Sequence, residues 1–239
     1  APSLAVLVES RGGLVASTLQ QSIVRGLEPG GTELTGATAA PTTEQVIPGV
    51  RITTAAAAGD RARVGGSLDV ATALRVLAPG TGEVDLTVGV TADTVGAAGT
   101  TIEQTIPAGS VVDIPIEGLA DGNYTVTVQA SAPVVAAVRA STVAAPDPSA
   151  PEPDEEISFE FSGEGSEATI VAGQRIDLAW FVATAALPDT ASFATADAPS
   201  PRLTLTGVSS SAEATLTAAD GSVTTLTVPE GSSTSVDLA

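Results

Sequence analysis

The chain has 239 residues, enough for one large or two small domains, and 43% of them are hydrophobic. Its formal net charge is −19, and such a field repels nucleic-acid phosphates and anionic lipid headgroups, so neither is an expected partner. The sequence contains no His, Cys or Lys, which excludes His- or Cys-dependent catalysis, disulfides, zinc sites of the usual ligands and lysine Schiff bases.

Only 3% of the residues are aromatic, so the apolar mass consists of Ala, Val, Leu and Ile. Val and Thr are abundant, and both favour strands because a branched Cβ packs well on a pleated surface. The composition therefore predicts an all-β protein. No run of 18 apolar residues is present, so no transmembrane segment is expected in this chain. Because the sequence begins with Ala1, we expect a processed chain or an excerpt of a longer one.

The N-terminal region is ambiguous. SLAVLVES and GLVASTLQ flank a Gly-Gly turn, which predicts a β-hairpin over residues 2–20. Residues 17–30 overlap it and are the main helical candidate, because apolar residues recur there at helical spacing: Leu19, Ile23, Val24 and Leu27.

Residues 74–142 alternate between apolar and polar positions with a period of two, which is typical of half-buried strands. Gly-rich turns separate the strands at the spacing seen in β-sandwiches. The first immunoglobulin-like sandwich is therefore assigned to residues 1–144. Its clearest predicted strands are VDLTVGV (84–90), SVVDIPI (110–116), YTVTVQA (124–130) and PVVAAVRAS (133–141).

Residues 145–156, APDPSAPEPDEE, are predicted to be an acidic, Pro-rich linker, because Pro and repelling charges oppose helices and central strands. A calcium loop is the alternative here and at GEGSE (163–167), but neither has an EF-hand spacing, so no metal ligand is assigned. A second immunoglobulin-like sandwich is assigned to residues 157–239. Its predicted strands are ISFEFS, EATIVAG, RIDLAWFVA, RLTLTG, AEATLTA, SVTTLTV and STSVDL.

Two tracts of the chain resemble each other. IPAGSVVDI (106–114) is similar to VPEGSSTSVDL (228–238), and residues 74–90 are similar to residues 203–219. This predicts two tandem copies of one β-domain. In the first copy two further strands follow, whereas the second copy lacks them. PSLAVLVES (2–10) resembles PVVAAVRAS (133–141), so one hypothesis is that the N-terminal hairpin completes a neighbouring domain, and the alternative is an open sheet edge.

The remaining route to catalysis is a pair of carboxylates, as in glycosidases. The candidate acids sit singly on predicted strands, where most point to solvent: Asp85, Glu103, Asp113 and Asp177. We therefore assign no catalytic residue and no cofactor, and expect a protein that is not an enzyme.

Two aromatic residues are candidates for ligand binding, because sugars pack on exposed aromatic rings. Tyr124 begins a predicted strand after Asp121-Gly122-Asn123, and core packing near a sandwich corner is its alternative role. Trp180 shares a predicted strand face with Ile176, Leu178 and Val182. This favours Trp180 as a core anchor of the second domain over a ligand contact, with the face of Arg175 and Asp177 toward solvent.

Several turn-and-strand motifs resemble an actinobacterial family of exported envelope proteins, domain of unknown function 5719. They are residues 78–80, 106–110, 133–137 and 179–180, within a resemblance that covers residues 60–239. Ala78 stands where the family has Asn. Members look like secreted or membrane-anchored β-proteins, often encoded beside envelope glycosyltransferases. The resemblance implies an extracytoplasmic location and a role in envelope glycan assembly, and it supplies no catalytic residues.

The function expected from the sequence is thus a non-catalytic, exported cell-envelope scaffold or interaction module. Its expected partners are an envelope protein, such as a membrane glycosyltransferase, or a cell-wall polysaccharide. One alternative is a carbohydrate-binding module that uses Trp180 or Tyr124, and a weaker one is a carboxylate-based glycosidase.

Overall fold

The computed structural model describes residues 6, 8, 10–13, 15, 17–25, 28–36, 41–52, 72–94, 96–143, 158–159, 168–169, 176–187, 189–193 and 201–238. These residues form strands and no helix, which confirms the all-β prediction. The strands in chain order are β1 (Thr18–Arg25), β2 (Glu28–Gly36), β3 (Thr42–Ile52), β4 (Ala73–Leu77), β5 (Val84–Ala92), β6 (Thr100–Ile106), β7 (Val111–Pro115), β8 (Gly122–Val143), β9 (Ser158–Phe159), β10 (Ala168–Thr169), β11 (Ile176–Val182), β12 (Arg202–Thr206), β13 (Ala212–Thr217), β14 (Val223–Val228) and β15 (Ser233–Asp237).

Strand β8 organises the main body of the protein. Its first half pairs with β5 on one side and β3 on the other, and its second half pairs with β4 and β11. Strand β6 extends the first group and β7 extends the second. The result is two four-stranded sheets that share β8: the front sheet, β6-β5-β8-β3, and the back sheet, β11-β8-β4-β7.

The core lies between these two sheets. Inward positions alternate along each strand, so the fully buried side chains are mainly Val, Ile and Leu at every second residue. They form one cluster that draws on both sheets, with Leu74, Val76 and Val138 from the back sheet and Leu86, Val88 and Val126 from the front sheet.

The long strand β8 merges two predicted strands, 124–130 and 133–141. Pro133 lies between the part of β8 that pairs with β5, which ends at Ala130, and the part that pairs with β4, which begins at Val135. Proline cannot donate a ladder hydrogen bond, so it is tolerated where the strand passes from one sheet to the other. Ser131 and Ala132 do not form a turn, and β8 continues without a break through both halves.

The prediction of a helix near the N-terminus is wrong. Residues 17–25 and 28–30 are not helical, because β1 and β2 form an antiparallel hairpin that includes the pair Thr18↔Gly36. Thr18, Leu19 and Gln20 of the predicted hairpin pair with β2. Of the segment 2–10, residues 2–5, 7 and 9 lie outside the described residues.

Strand β11 corrects the predicted second domain. It pairs with β8 through seven residue pairs, from Ile176↔Val143 to Val182↔Ala137, and so belongs to the back sheet. Thr184 N–H also donates to Val46 C=O (3.0 Å), which joins the end of β11 to β3. The predicted linker, residues 145–156, lies outside the described residues. Because β11 follows that linker in the sequence, it was assigned to the second domain, and the sequence did not show that it pairs with β8.

The C-terminal strands form two separate ribbons among the described residues. Strand β12 pairs with β15, and β13 pairs with β14, both antiparallel. Within the described part of the chain, the structure contains no helix with the length and hydrophobicity that a membrane crossing requires.

Candidate functional site: an open strand position

Trp180 lies on the outer face of the back sheet, which corrects the face assignment. Its neighbour Phe181 packs against the core cluster. The face of β11 that was predicted to point to solvent, which includes Phe181, is therefore the inner face of the back sheet. The outer face is not bare either, because Leu178 is only 1% exposed and the β1–β2 hairpin packs against β11. Strand β11 is covered on both sides, so its hydrophobic pattern could not identify the core face.

The Trp180 ring is held by polar partners. Its Nε1–H donates to the side-chain oxygen of Gln21 in the hairpin, at 2.7 Å. The Arg75 guanidinium carbon lies 5.2 Å from the ring centroid, within the range of a cation–π contact. Arg75 also forms a two-point ion pair with Asp113 on the adjacent strand, at 2.7 and 2.8 Å. Trp180 thus fastens the hairpin to the back sheet.

Tyr124 is buried, with 2% of its surface exposed, and its hydroxyl donates to the Ala120 carbonyl at 2.9 Å. A tyrosine at the start of a strand that bonds back to the chain a few residues upstream is a feature of sandwich corners. This geometry agrees with the core interpretation of Tyr124 and leaves no ring face for a ligand.

The candidate carboxylates are dispersed. Asp113 is committed to Arg75. Asp85 and Glu103 line a shallow depression of about 330 Å³ on the outer face of β5 and β6 with Thr87, Gln104 and Thr105, and Asp85 accepts a hydrogen bond from Thr105 at 2.8 Å. The side chain of Asp177 lies outside what the structure describes. The described residues contain no cluster of acidic side chains that could hold a metal ion, and the GEGSE stretch lies outside them.

The two Pro-x-Gly-Ser turns have the same local structure. Gly109 N–H donates to Ala78 C=O at 2.8 Å, and Gly231 N–H donates to Gly207 C=O at 2.7 Å. Both glycines have positive φ, +64° and +66°, which a side chain would oppose. The turns thereby place Ala78 and Gly207 at equivalent positions.

The equivalence of the two turns extends to the pairs of strands on either side of them. The β12–β15 ribbon repeats the register of β4–β7, and the β13–β14 ribbon repeats the register of β5–β6. The hydrogen bond that Ile116 N–H donates to Thr72 C=O (3.0 Å) has an equivalent in the second ribbon, where Leu238 N–H donates to Pro201 C=O (2.8 Å). We call the four strands β4, β5, β6 and β7 the first strand unit, and the four strands β12, β13, β14 and β15 the second strand unit. The pair Leu74↔Ile114 of the first unit corresponds to Leu203↔Val236 of the second. In the same way, Val76↔Val112 corresponds to Leu205↔Thr234, and Val84↔Ile106 corresponds to Ala212↔Val228.

The two units differ in one respect. In the first, β8 lies between β5 and β4 and pairs with both. In the described part of the second unit, β13 pairs with β14 alone and β12 with β15 alone, and no strand has the position of β8. We call this the open strand position; it is bounded by the free edges of β12 and β13.

Burial reflects the open strand position. Leu74, Val76 and Leu86 are buried in the first unit, whereas their counterparts Leu203, Leu205 and Ala214 are only half-buried. Apolar residues at equivalent positions, including the identical pair Leu74 and Leu203, therefore keep part of their apolar surface in water only in the second unit. A strand added at the open position would cover this surface and pair two rows of backbone groups.

The opposite, polar face of β12–β15 contacts the front sheet. Ser233 shares a short hydrogen bond with Thr125 and another with Thr206, the latter at 2.8 Å. Asp93 accepts a hydrogen bond from Thr125 at 3.2 Å through Oδ1. Burial, opposed by the hydrogen bonds of Thr125 and Ser233 and by the charge of Arg202, raises the pKa of Asp93 above its ordinary value. The second unit is thus docked by its polar face, with its apolar face turned away.

Sequence reasoning assigned ligand binding to aromatic residues and missed the edges of β12 and β13. The signal that could have found them was the similarity of the two tracts, because it aligns β12 and β13 with β4 and β5.

A family profile described as "Family of unknown function (DUF5719)" matches residues 1–239. No curated protein matches the chain significantly. Among solved structures, "Crystal Structure of Thermotoga maritima 1070" is 12% identical with a TM-score of 0.38, covering 60% of this chain and 94% of that one. The "Anabaena sensory rhodopsin transducer" is 13% identical with a TM-score of 0.30, covering 42% of this chain and 89% of that one. Similarity at these TM-scores carries no argument about fold or function.

Proposed function

Because the chain belongs to a family of unknown function, DUF5719, we propose from its own geometry that it is a non-catalytic interaction module, which takes up an extended protein segment as an added β-strand. The segment binds at the open strand position, along the edges of β12 and β13. The two strand units are copies of one unit, and the bound segment has the role in the second that β8 has in the first.

The observation that carries this proposal is the pair of matched leucines, Leu74 and Leu203. They have the same register and the same chemistry, yet only Leu74 is fully buried. Main-chain hydrogen bonds to two strand edges would supply affinity, and burial of the apolar face would select segments with small aliphatic residues. The net charge of −19 disfavours strongly acidic segments.

The aromatic residues do not favour the carbohydrate-binding alternative. Tyr124 is buried, and Trp180 uses its indole N–H on Gln21 and has Arg75 near its ring. A sugar platform needs an open ring face and free polar groups around it.

We place this module outside the cytoplasm, in the cell envelope, on the strength of the motif resemblance alone. An envelope protein, such as a membrane glycosyltransferase of glycan assembly, is the proposed class of partner. Affinity purification of the native protein from envelope extracts should recover such a partner, and recovery of none would oppose this placement.

Strand addition is tested with a fluorescent peptide of residues 122–143, the sequence of β8. We expect saturable binding by fluorescence anisotropy. The ladder bonds of Gly207 and Pro201 to β15 imply, by alternation, that the N–H of Thr204 points to the open edge. Thr204→Pro removes that donor and should weaken binding about tenfold.

Thr204→Val is the matched control. It also loses the hydrogen bond of the Thr204 hydroxyl to Ser235 (2.9 Å) but keeps the backbone N–H, so its affinity should stay near that of the unmodified protein. Equal binding by Thr204→Pro, or no binding of the peptide to any form, would refute strand addition at this edge.

A further inference from the structure

The N-terminal segment, residues 2–10, has the sequence of a strand that is covered on both faces. Residues 4–8 read LAVLV without interruption, a pattern typical of strands with apolar contacts on both sides. In the structure, Val6 is 65% and Val8 is 59% exposed. Two valines two residues apart on an apolar segment present a surface that water disfavours and another strand would cover.

The same segment resembles the part of β8 that pairs with β4. PSLAVLVES (2–10) aligns with PVVAAVRAS (133–141) from its Pro to its Ser. In the first unit Ala137 pairs with Arg75, and Arg139 pairs with Ala73. The alignment and the equivalence of the two units therefore place Val6 opposite Thr204 and Val8 opposite Arg202.

We propose that the strand which fills the open position beside β12 is residues 2–10 of a second copy of this protein. This inference rests on the strand-addition function and names its partner. Each copy then offers one donor segment and one acceptor edge, so the contact joins different surfaces of the two copies.

Val6 and Val8 of the chain's own segment are exposed in the structure, so they do not lie against its own β12. Gln21 of the hairpin bonds to Trp180 on the outer face of the back sheet, whereas Ser233 of the second unit bonds to Thr125 on the outer face of the front sheet. Stacked layers lie about 10 Å apart, so three spacings separate hairpin and second unit by about 30 Å. Residues 11–20, which join the segment to Gln21, reach about 33–36 Å when fully extended. The chain's own segment would therefore reach the open position only with this connection almost fully extended, which favours a segment from a second copy.

A contact between unlike surfaces forms a ring if it closes and an open filament if it does not. Reciprocal exchange between two copies gives the smallest ring. Because each copy carries a net charge of −19, added salt should favour assembly by screening repulsion between copies.

The test uses the absence of cysteine from the sequence, since every disulfide must then come from introduced residues. Val8→Cys and Arg202→Cys proteins, carrying tags of different length, are mixed and oxidised. We expect a covalent heterodimer, with the linked peptides identified by mass spectrometry. In the control, Asp220→Cys, an exposed position in the β13–β14 turn, replaces Arg202→Cys and should give at least about tenfold less heterodimer.

Sedimentation velocity gives a second readout without cysteine. The unmodified protein should associate with increasing concentration, and Val6→Asp should abolish this association. Val15→Asp, at a position that is also 64% exposed but outside the segment, should leave it intact.

Three outcomes overturn the inference. If the protein remains monomeric while the β8 peptide still binds, strand addition stands and the second copy is not its partner. If the double variant Val8→Cys/Arg202→Cys forms an intramolecular disulfide at high dilution, the donor is the chain's own segment. If the β8 peptide does not bind, the proposed function fails first and this inference fails with it.

Discussion

Tyr124 combines a buried ring with a satisfied hydroxyl, and this combination fixes its role. The ring contributes apolar burial to the core, while the bond to Ala120 anchors the turn that precedes β8. Trp180 differs, because its partners are Gln21 and Arg75 on other elements. Both large side chains therefore stabilise contacts between elements.

Tyr124→Phe removes only the hydroxyl of this corner. We expect a loss of about 1 kcal/mol in the free energy of unfolding, because the carbonyl of Ala120 loses its donor. Urea denaturation followed by Trp180 fluorescence measures it. Thr105→Val removes an exposed hydrogen bond to Asp85 and should cost less than about 0.5 kcal/mol. Equal losses for both variants would contradict the anchoring role.

Asp93 makes stability depend on pH at the docking contact of the second unit. Its Oδ2 is buried without a partner, and burial raises its pKa above 3.8. The folded protein therefore binds this proton more tightly than the unfolded chain. The stabilisation is fully present below the unfolded pKa and is lost as the pH rises through the folded pKa.

Asp93→Asn removes this ionisation, so it should raise stability near neutral pH and flatten the fall in stability as the pH rises from acid to neutral. Denaturant unfolding across this range measures both effects. Glu103→Gln, which removes an exposed carboxylate on β6, should leave the pH profile unchanged. A profile unaffected by Asp93→Asn would show that its burial carries no energetic cost.

At the scale of elements, β4 and β12 are the informative comparison. Strand β4 has neighbours on both sides, β7 and β8, whereas among the described strands β12 has β15 alone. The same residue type therefore contributes differently in the two strands, since hydrophobic stabilisation follows the apolar area removed from water.

Leu74→Ala and Leu203→Ala test this comparison with one chemical change at equivalent positions. Leu74→Ala should cost about 2–5 kcal/mol because it opens a cavity in a closed core. Leu203→Ala should cost about 1 kcal/mol, since its side chain is half-buried. Hydrogen exchange of β4 and β12 measures the two losses separately. Adding the β8 peptide should increase the cost of Leu203→Ala alone; equal costs without peptide would contradict an open second unit.

At the scale of the whole molecule, two features act together. The second unit docks through hydroxyl groups, such as Thr125 and Ser233, instead of apolar side chains, and 28 acidic residues oppose 9 basic ones. Hydrogen bonds between hydroxyls contribute little net energy, and self-repulsion opposes the compact state.

Raising the ionic strength should therefore raise the melting temperature, because the screening length shortens from about 30 Å at 0.01 M to about 8 Å at 0.15 M. Scanning calorimetry in KCl measures this effect. CaCl₂ at equal ionic strength serves as the comparison: an equal rise indicates screening, and a much larger rise would indicate specific calcium binding by acidic residues. A melting temperature that does not change with salt would contradict the self-repulsion argument.

Local patterns predicted the strands well where one face is buried and the other polar. VDLTVGV is such a case and became β5, and the strands β12 to β15 also lie in their predicted stretches. Prediction was wrong where both faces are covered or the pattern is short. The segment 17–30 has helical spacing by coincidence, and its described residues belong to the strands of a hairpin. Trp180 was assigned to the inner face because its strand is apolar on both sides.

The sequence by itself determined the all-β class, most strand positions and the Pro-x-Gly-Ser turns, because period-two patterning and glycine conformations are local properties of the chain. Only the tertiary structure decided that β8 serves two sheets, that β11 returns to the first of the predicted domains and that β12 and β13 have free edges among the described strands. Strand pairing joins residues far apart in sequence, and the hydrophobic pattern of a strand shows how it is buried without showing which strand lies beside it.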